Sequence, residues 1–452
     1  MKLAYGVKDK PNFGKLLVFA FQQLLAILAA TIAVPAIIGN GMSQSAALFG
    51  AGVGTIVYLL FTKFKSPVFL GSSFAFLGSM GVAFAGAAST ALGYVGLIIG
   101  AVFAGLVYVV IAIVVKIAGV KWINKLMPPV VIGPTVAIIG LSLAVNAIKD
   151  SLGATIGVVN YDDGLGAFIM NTKGWLFLIC ALVTLITVVL CSVYGKKMSK
   201  MIPFIIGIAA GYAVGAILTV IGLKAGADTL TIIDFSGFKN MQWIPDFTFI
   251  KAFGAFKEVT GSYILSIAVA YVPVAFVVFA EHIADHKNLS SIIETELLEE
   301  PGLHRTLLGD GVGSMVGAIF GGCPNTTYGE SVGCVAISGN ASVVTILTTA
   351  ILAIVASFVA PFTTFLATIP CCVMGGVCIT LYGFIAVSGL KMIQNVDLGA
   401  NKNLFVVSAI LILGIGGMAL GIGKVKLTSI ACALILGIIL NLILSKKTEE
   451  NQ

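Results

Sequence analysis

The chain has 452 residues, of which 59% are hydrophobic and only 10% charged; its mean hydropathy is +1.09 and its formal net charge +7. A soluble domain carries roughly 25% charged residues, so the composition excludes a soluble fold and indicates an all-α polytopic membrane protein lying in a lipid bilayer. Nor does the basic excess mark a nucleic-acid binder, because Arg305 is the only arginine and the lysines are scattered through short polar segments.

The first 15 residues are polar and basic and run straight into an apolar stretch with no small-residue cleavage site. That pattern predicts a retained cytoplasmic N-terminus and no signal peptide. A helix needs about 20 apolar residues to cross the hydrocarbon core. On that basis spans are predicted near 16–38, 45–62, 66–85, 92–118, 128–148, 174–193, 201–222, 262–284, 307–321, 325–338, 341–368, 370–390, 403–423 and 427–445. These make fourteen, of which 66–85, 307–321 and 325–338 are too broken or too short for simple helices.

An even count places both termini on one side. With the termini inside, 18 of the 26 Lys and Arg residues fall on inner segments and 8 on outer ones, which is the bias of a plasma-membrane protein. The sizeable outer loops are then about 149–173 and 223–260. Cys180, Cys191, Cys334, Cys378 and Cys432 lie within apolar runs, and the adjacent Cys371-Cys372 has neither zinc-ligand nor disulfide spacing. Buried structural thiols are expected, with no metal site and no cofactor.

The chain also resembles itself. At an offset of 258, Gly71-Ser72-Ser73 falls on Gly329-Glu330-Ser331 and Gln23 on Glu281; at 242, Pro128, Val131 and Gly133 fall on Pro370, Val373 and Gly375. Seven spans per repeat is an odd number, so the second copy must insert upside down, as in secondary transporters. The third and tenth spans should each be extended first and helical afterwards, with their half-helix N-termini facing one another.

The tenth span holds the segment Pro324-Asn325-Thr326-Thr327-Tyr328-Gly329-Glu330-Ser331. A carboxylate at membrane depth is a functional-site hypothesis by default, and broken backbone is tolerated there only where it lines a cavity. Glu330 and Tyr328 are therefore site candidates. Glu281, read from its repeat partner Gln23 as central, requires the eighth helix to begin near Ile267 or later and to continue past it. Asp285 lies at i+4 on the same face, where two carboxylates can share or exchange a proton. His282 and His286 point elsewhere on that helix. Asp310, opening the ninth span, is either a helix N-cap or part of a proton path.

These motifs resemble the nucleobase–ascorbate transporter family, and within it the bacterial uracil permeases. The resemblance is carried by Gly71-Ser72-Ser73-Phe74-Ala75-Phe76, Glu281-His282, Pro301-Gly302-Leu303-His304-Arg305, Asn325-Thr326-Thr327-Tyr328-Gly329-Glu330, Val373-Met374-Gly375-Gly376 and Leu381-Tyr382-Gly383. It spans essentially the whole chain. It implies a core domain of spans 1–4 (1–126) and 8–11 (258–368), moving against a gate domain of spans 5–7 (127–257) and 12–14 (369–452). It further implies a homodimer and a substrate site of Phe74, Glu281, Tyr328, Gly329, Glu330 and Tyr382. The ligand it implies is uracil or a related nucleobase; uptake coupled to protons is expected with it, with Glu281, Asp285 and Asp310 as the proton-coupling candidates.

Three departures from the family pattern stand out. Gln22-Gln23 replaces a common Gln-His, Asp285 stands where the best-known uracil permease has His, and Glu330-Ser331-Val332-Gly333 replaces the usual Gln/Glu-Asn-x-Gly. Purine carriers often have Asp at the position of Asp285, so xanthine or uric acid is the alternative substrate class. An anion carrier of this architecture would want a basic residue between the half-helices. A membrane enzyme would want a nucleophile–base set or a metal motif. The sequence offers neither.

Overall fold

A computed structural model describes residues 3–119, 122, 126–196, 198–394, 396–422 and 425–449. Lys2, Lys121, Lys125, Lys197 and Lys424 of the charge tally lie outside these residues. The first half of the chain forms α1 (Phe13–Ile38), α2 (Gln44–Phe61), β1 (Leu70–Ser72), α3 (Leu77–Ala85), α4 (Thr90–Ala118), α5 (Pro129–Leu152), a hairpin of β2 (Asn160–Asp162) and β3 (Ala167–Ile169), α6 (Thr172–Tyr194) and α7 (Pro203–Ala225). In the second half follow α8 (Gly261–Ile293), α9 (Leu303–Gly321), β4 (Asn325–Thr327), α10 (Gly329–Ser338), α11 (Val343–Ser357), α12 (Ala360–Ala367) and α13 (Cys371–Met392). The chain closes with α14 (Asn401–Ile415), a hairpin of β5 (Leu420–Ile422) and β6 (Val425–Leu427), and α15 (Ser429–Glu449).

Helix starts follow from capping chemistry. Asn12, Ser43, Ser89, Asn171 and Thr260 each accept a backbone N–H of the first turn of α1, α2, α4, α6 and α8, satisfying a donor that has no partner inside the helix. Proline does comparable work for α5 and α13, where Pro128 and Pro370 hold an extended conformation at the N-cap. These are the two prolines that the 242-residue offset aligns. The helices run antiparallel, with Gly375 against Ser151 and Gly389 against Gly133, and they pack backbone to backbone. A Cβ on Gly140 would sit 2.3 Å from the Tyr382 carbonyl oxygen, so only glycine permits this approach.

Among the described residues, eight helices are long and apolar enough to cross a membrane, or nine when the bent pair α11–α12 is counted as one span. Shorter apolar helices at Phe74–Ala85, Asn401–Ile415 and Ser429–Ser445 accompany them. The protein is a multi-pass membrane protein.

Several expected spans differ in detail. Residues 341–368 are not one helix: α11 and α12 meet at 83°. Pro361 lacks the N–H that would bond to Ser357, so it opens a new helix instead of continuing the old one. The stretch 403–423 ends as helix at Ile415, where Gly416 and Gly417 follow and Gly417 takes φ +70°, and the chain turns into the β5–β6 hairpin. Helix α8 begins at Gly261 and not near Ile267; with 33 residues it needs no late start to carry beyond Glu281. Helix α9 begins at Leu303, which puts Asp310 two turns inside and rules out the N-cap role.

The centre of the molecule is the crossing of β1 and β4. They pair antiparallel, with Leu70 opposite Thr327, Gly71 opposite Thr326 and Ser72 opposite Asn325. The pair continues at both ends, where the Ser73 N–H donates to the Pro324 carbonyl (2.9 Å) and the Tyr328 N–H to the Phe69 carbonyl (3.3 Å). Two extended segments thus satisfy one another's backbone groups at a depth where water cannot. Each strand then leads into a helical segment, Phe74–Ala85 after β1 and α10 after β4, so both are extended first and helical afterwards. Ser73 caps the first and Tyr328 the second. The equivalence therefore lies three residues from the sequence match, which set Ser73 against Ser331.

Candidate functional site

A cavity of about 480 Å³ lies at this crossing. Ser73, Phe74 and Ala75 line it from the first half-helix, and Tyr328, Gly329 and Glu330 from the start of α10. Glu281, Ala284 and Asp285 line it from α8, and Thr326 and Thr327 from β4. Leu381 and Phe384 of α13 and Val136 and Ile139 of α5 form the opposite wall. The cavity extends to Lys200, Pro203 and Met392 at the ends of α7 and α13.

Helical spacing explains the carboxylates. Glu281 and Asp285 are one turn apart, so α8 presents both to the cavity while rotating His282 and His286 away from it. The structure thus brings together Phe74, Glu281, Asp285, Tyr328, Gly329 and Glu330. It does not bring Tyr382 or Asp310 to the cavity wall. Tyr382 stands beside Phe74, edge-on with ring centroids 5.7 Å apart, and reaches the cavity through that ring. Asp310 lies behind the strands, fully buried, with Oδ2 2.6 Å from His282 Nδ1.

Three carboxylates around one cavity repel each other, so protons or hydrogen-bond donors must stand among them. Thr327 is one such donor, giving its hydroxyl to Asp285 Oδ2 at 3.0 Å. The opening N–H groups of α10 are others, since the first turn of a helix leaves them unpaired. Tyr328 caps that turn and fixes it further, because its hydroxyl donates to the Ser72 carbonyl at 2.7 Å. Ser331 locks the base of the same helix: its hydroxyl oxygen accepts from Gln23 Nε2 (2.5 Å) and from the Phe69 N–H (3.0 Å). Glu330 is thereby presented by a segment tied to α1, β1 and α8 together.

The residues that sequence reasoning did not single out are Thr327, Ser331 and Lys200. Thr327 and Ser331 were inside the quoted motif, where a hydroxyl beside an acid was the available signal. Lys200 had none, because it comes to the cavity from a distant turn. Among the described residues, no group of three or more His, Cys, Asp or Glu side chains is arranged to hold a metal ion.

Comparison with known proteins shows the family. The model of the Permease family matches residues 14–423. The uracil permease of Bacillus caldolyticus is 38% identical, covering 99% of this chain and 97% of its own length. That of Bacillus subtilis (strain 168) is 36% identical over 99% and 97%, and that of Escherichia coli (strain K12) 33% over 97% and 94%. These relatives are permeases and not enzymes. Among solved structures, the transmembrane domain of the cyanobacterial bicarbonate transporter BicA superposes with a TM-score of 0.65 at 17% identity, covering 96% of this chain and 99% of that one. The murine Slc26a9 anion transporter in its inward-facing state gives 0.65 at 13% identity, covering 98% of this chain and 69% of that one. At these identities the likeness is one of fold alone. Matched by the family model over most of its length and by full-length relatives above 30% identity, the chain is a membrane transporter that belongs to the Permease family.

Proposed function

We propose that this protein imports uracil across the plasma membrane by proton symport. The observation that carries the reading is the meeting of Glu281, Asp285 and Glu330 with the start of α10 around one cavity, in a chain whose full-length relatives are named uracil permeases. Uracil is a small flat ring with N–H donors and two carbonyl acceptors. Carboxylates suit its N–H edges, helix-terminal N–H groups near Phe74 and Gly329 suit its carbonyls, and Phe74, backed by Tyr382, suits its face. A site built to pair such groups discriminates strongly, because an analogue leaves its buried polar atoms unsatisfied. Protons are taken up at Glu281 and Asp285, which face substrate and each other.

The architecture for this function is fourteen spans in two inverted repeats with both termini in the cytoplasm. Residues 1–126 and 258–368 form a core that moves against a gate of 127–257 and 369–452, in a homodimer. The antiparallel pairs β1–β4 and α5–α13 support the inversion. The lysine bias supports a cytoplasmic position for the Lys200 end of the cavity, and with it an inward-open state. Uptake of labelled uracil into proteoliposomes, with and without a pH gradient, tests the proposal: accumulation must need the gradient and vanish with a proton ionophore. Asp285 favours one second reading, a xanthine or uric acid carrier, and competition by xanthine in the same assay decides between them.

A further inference from the structure

Behind the cavity, on the far side of the β1–β4 crossing, lies a polar cluster that substrate binding does not use. His282 and Asp310 are both 0% exposed, and His282 Nδ1 is 2.6 Å from Asp310 Oδ2. On the other side of the ring, His282 Nε2 lies 3.0 Å from Thr306 Oγ1. That same oxygen lies 3.0 Å from the Leu303 carbonyl. Counting protons gives two states in which both His282 nitrogens and the Thr306 hydroxyl are hydrogen-bonded. In the first, Nε2–H donates to Thr306, Thr306 donates to Leu303, and one further proton sits between Nδ1 and Oδ2; the set is neutral. In the second, one proton fewer, Nδ1–H donates to an ionised Asp310 and Thr306 rotates its hydroxyl to donate to Nε2. A threonine placed equally between a ring nitrogen and a carbonyl serves both.

We propose that His282, Asp310 and Thr306 form a buried proton-holding set whose charge fixes the pH dependence of substrate binding, acting through Thr327 and Asp285. The link is a single residue. The Thr327 amide is directed at Asp310, while its hydroxyl donates to Asp285 at the cavity wall. Thr327 donates toward both acids and so carries no proton between them; the charge of the set is felt at Asp285 across that residue. The groups facing the set are Glu281, Asp285 and His286 of α8, the last stacked on His282 with ring centroids 4.0 Å apart. Tyr108 of α4 approaches His282 with centroids 6.2 Å apart, Tyr58 of α2 lies 2.7 Å from His286 Nε2, and Glu330 stands across the cavity. His282, Asp310 and Thr306 are positioning residues, since none of them lines the cavity.

This inference rests on the uracil reading above, and the test keeps the two apart. Uracil binding to the full chain in lipid nanodiscs is measured across pH for the unaltered protein and for Thr306→Val, Thr306→Ser and Asp310→Asn. Thr306→Val is nearly isosteric and removes the rotating hydroxyl, so the pH midpoint of binding moves by about one unit, roughly tenfold in affinity at fixed pH. Thr306→Ser restores the original profile, and Asp310→Asn removes the titration step. Superimposable profiles for Thr306→Val and the unaltered protein overturn the inference while leaving uracil as the substrate; should Asp310→Asn fail to fold, that comparison alone decides. No uracil binding by the unaltered chain at any pH overturns the functional reading and the inference with it.

Discussion

The ring of Tyr328 lies directly over Gly71, so that a Cβ at position 71 would fall 2.2 Å from the ring edge. Strand β1 and the cap of α10 are thus fitted to each other at a point where no side chain can intervene. Overpacking of this kind costs about 1–3 kcal/mol or more where backbone cannot shift. Gly71→Ala is expected to cut uracil uptake by at least tenfold at unchanged membrane abundance. Tyr328→Phe keeps the ring, loses the bond to the Ser72 carbonyl, and should cost only about 1 kcal/mol of thermal stability. Equal effects of the two substitutions would contradict the fit.

Glu330 faces the cavity from the first turn of α10. Glu330→Gln keeps its shape and removes its charge. A charge-assisted hydrogen bond contributes about 1.5–3 kcal/mol, so uracil affinity should fall by roughly tenfold or more, read by equilibrium binding. Glu281→Gln should in addition abolish accumulation driven by a pH gradient. Uptake that survives both changes unaltered removes this cavity from consideration.

Asp285 and Thr327 share one hydrogen bond, and removing either end should be felt at the other. Thr327→Val leaves Asp285 without its donor, whereas Thr327→Ser retains it. Binding should weaken severalfold in the first and recover in the second. A double-mutant cycle with Asp285→Asn should return a coupling energy of about 0.5–3 kcal/mol.

Ser331 receives two donors, from Gln23 and from the Phe69 amide. Ser331→Ala strands the Phe69 amide and leaves Gln23 only a long bond of 3.4 Å to the Ser331 carbonyl, so it should lower thermal stability by about 1–3 kcal/mol, the cost of buried groups left unpaired. Gln23→Ala removes one of the two donors and should cost less. A larger loss for Gln23→Ala would mean that its partner lies elsewhere.

The Lys65 ammonium bonds to Glu300 and holds that carboxyl below its usual range. A carboxylate shifted downward contributes stability at neutral pH that fades as the pH falls through the acid range. Glu300 is exposed, so solvent screens the pair. Glu300→Gln should leave Tm and uptake unchanged between pH 6 and 8, measured by thermal shift; a clear drop at neutral pH would contradict this.

The broken third and tenth spans were legible because Ser66-Pro67 and Pro324, with glycines nearby, forbid continuous helix. The equivalence of Pro128 and Pro370 was legible because both prolines do the same local work. Its counterpart, Gly71-Ser72-Ser73 on Gly329-Glu330-Ser331, slipped by three residues, since small residues recur too often to fix a register. Given Glu281, its companion Asp285 followed from helical spacing. Thr327, by contrast, is set by the pairing of β1 with β4, a contact between distant segments that no local pattern encodes. Asp310 reads from the sequence as either a helix N-cap or part of a proton path; it lies two turns inside α9 because that helix opens at Leu303, with Thr306 bonded to His282 and to the Leu303 carbonyl.

The β1–β4 pair also orders the events of the protein's birth. Leu70 and Thr327 are separated by more than half of the chain, so β1 leaves the ribosome long before a partner for it exists. Until then its amides and carbonyls sit at membrane depth with only provisional company, a contact distant in sequence and correspondingly slow to close. The first half of the protein must wait, inserted but unfinished, for the second half to arrive. A chain cut short before Pro324 would therefore lack more than its last helices: it would keep Phe74, Glu281 and Asp285 with nothing to close the site against them, and an open strand that invites the cell's quality control.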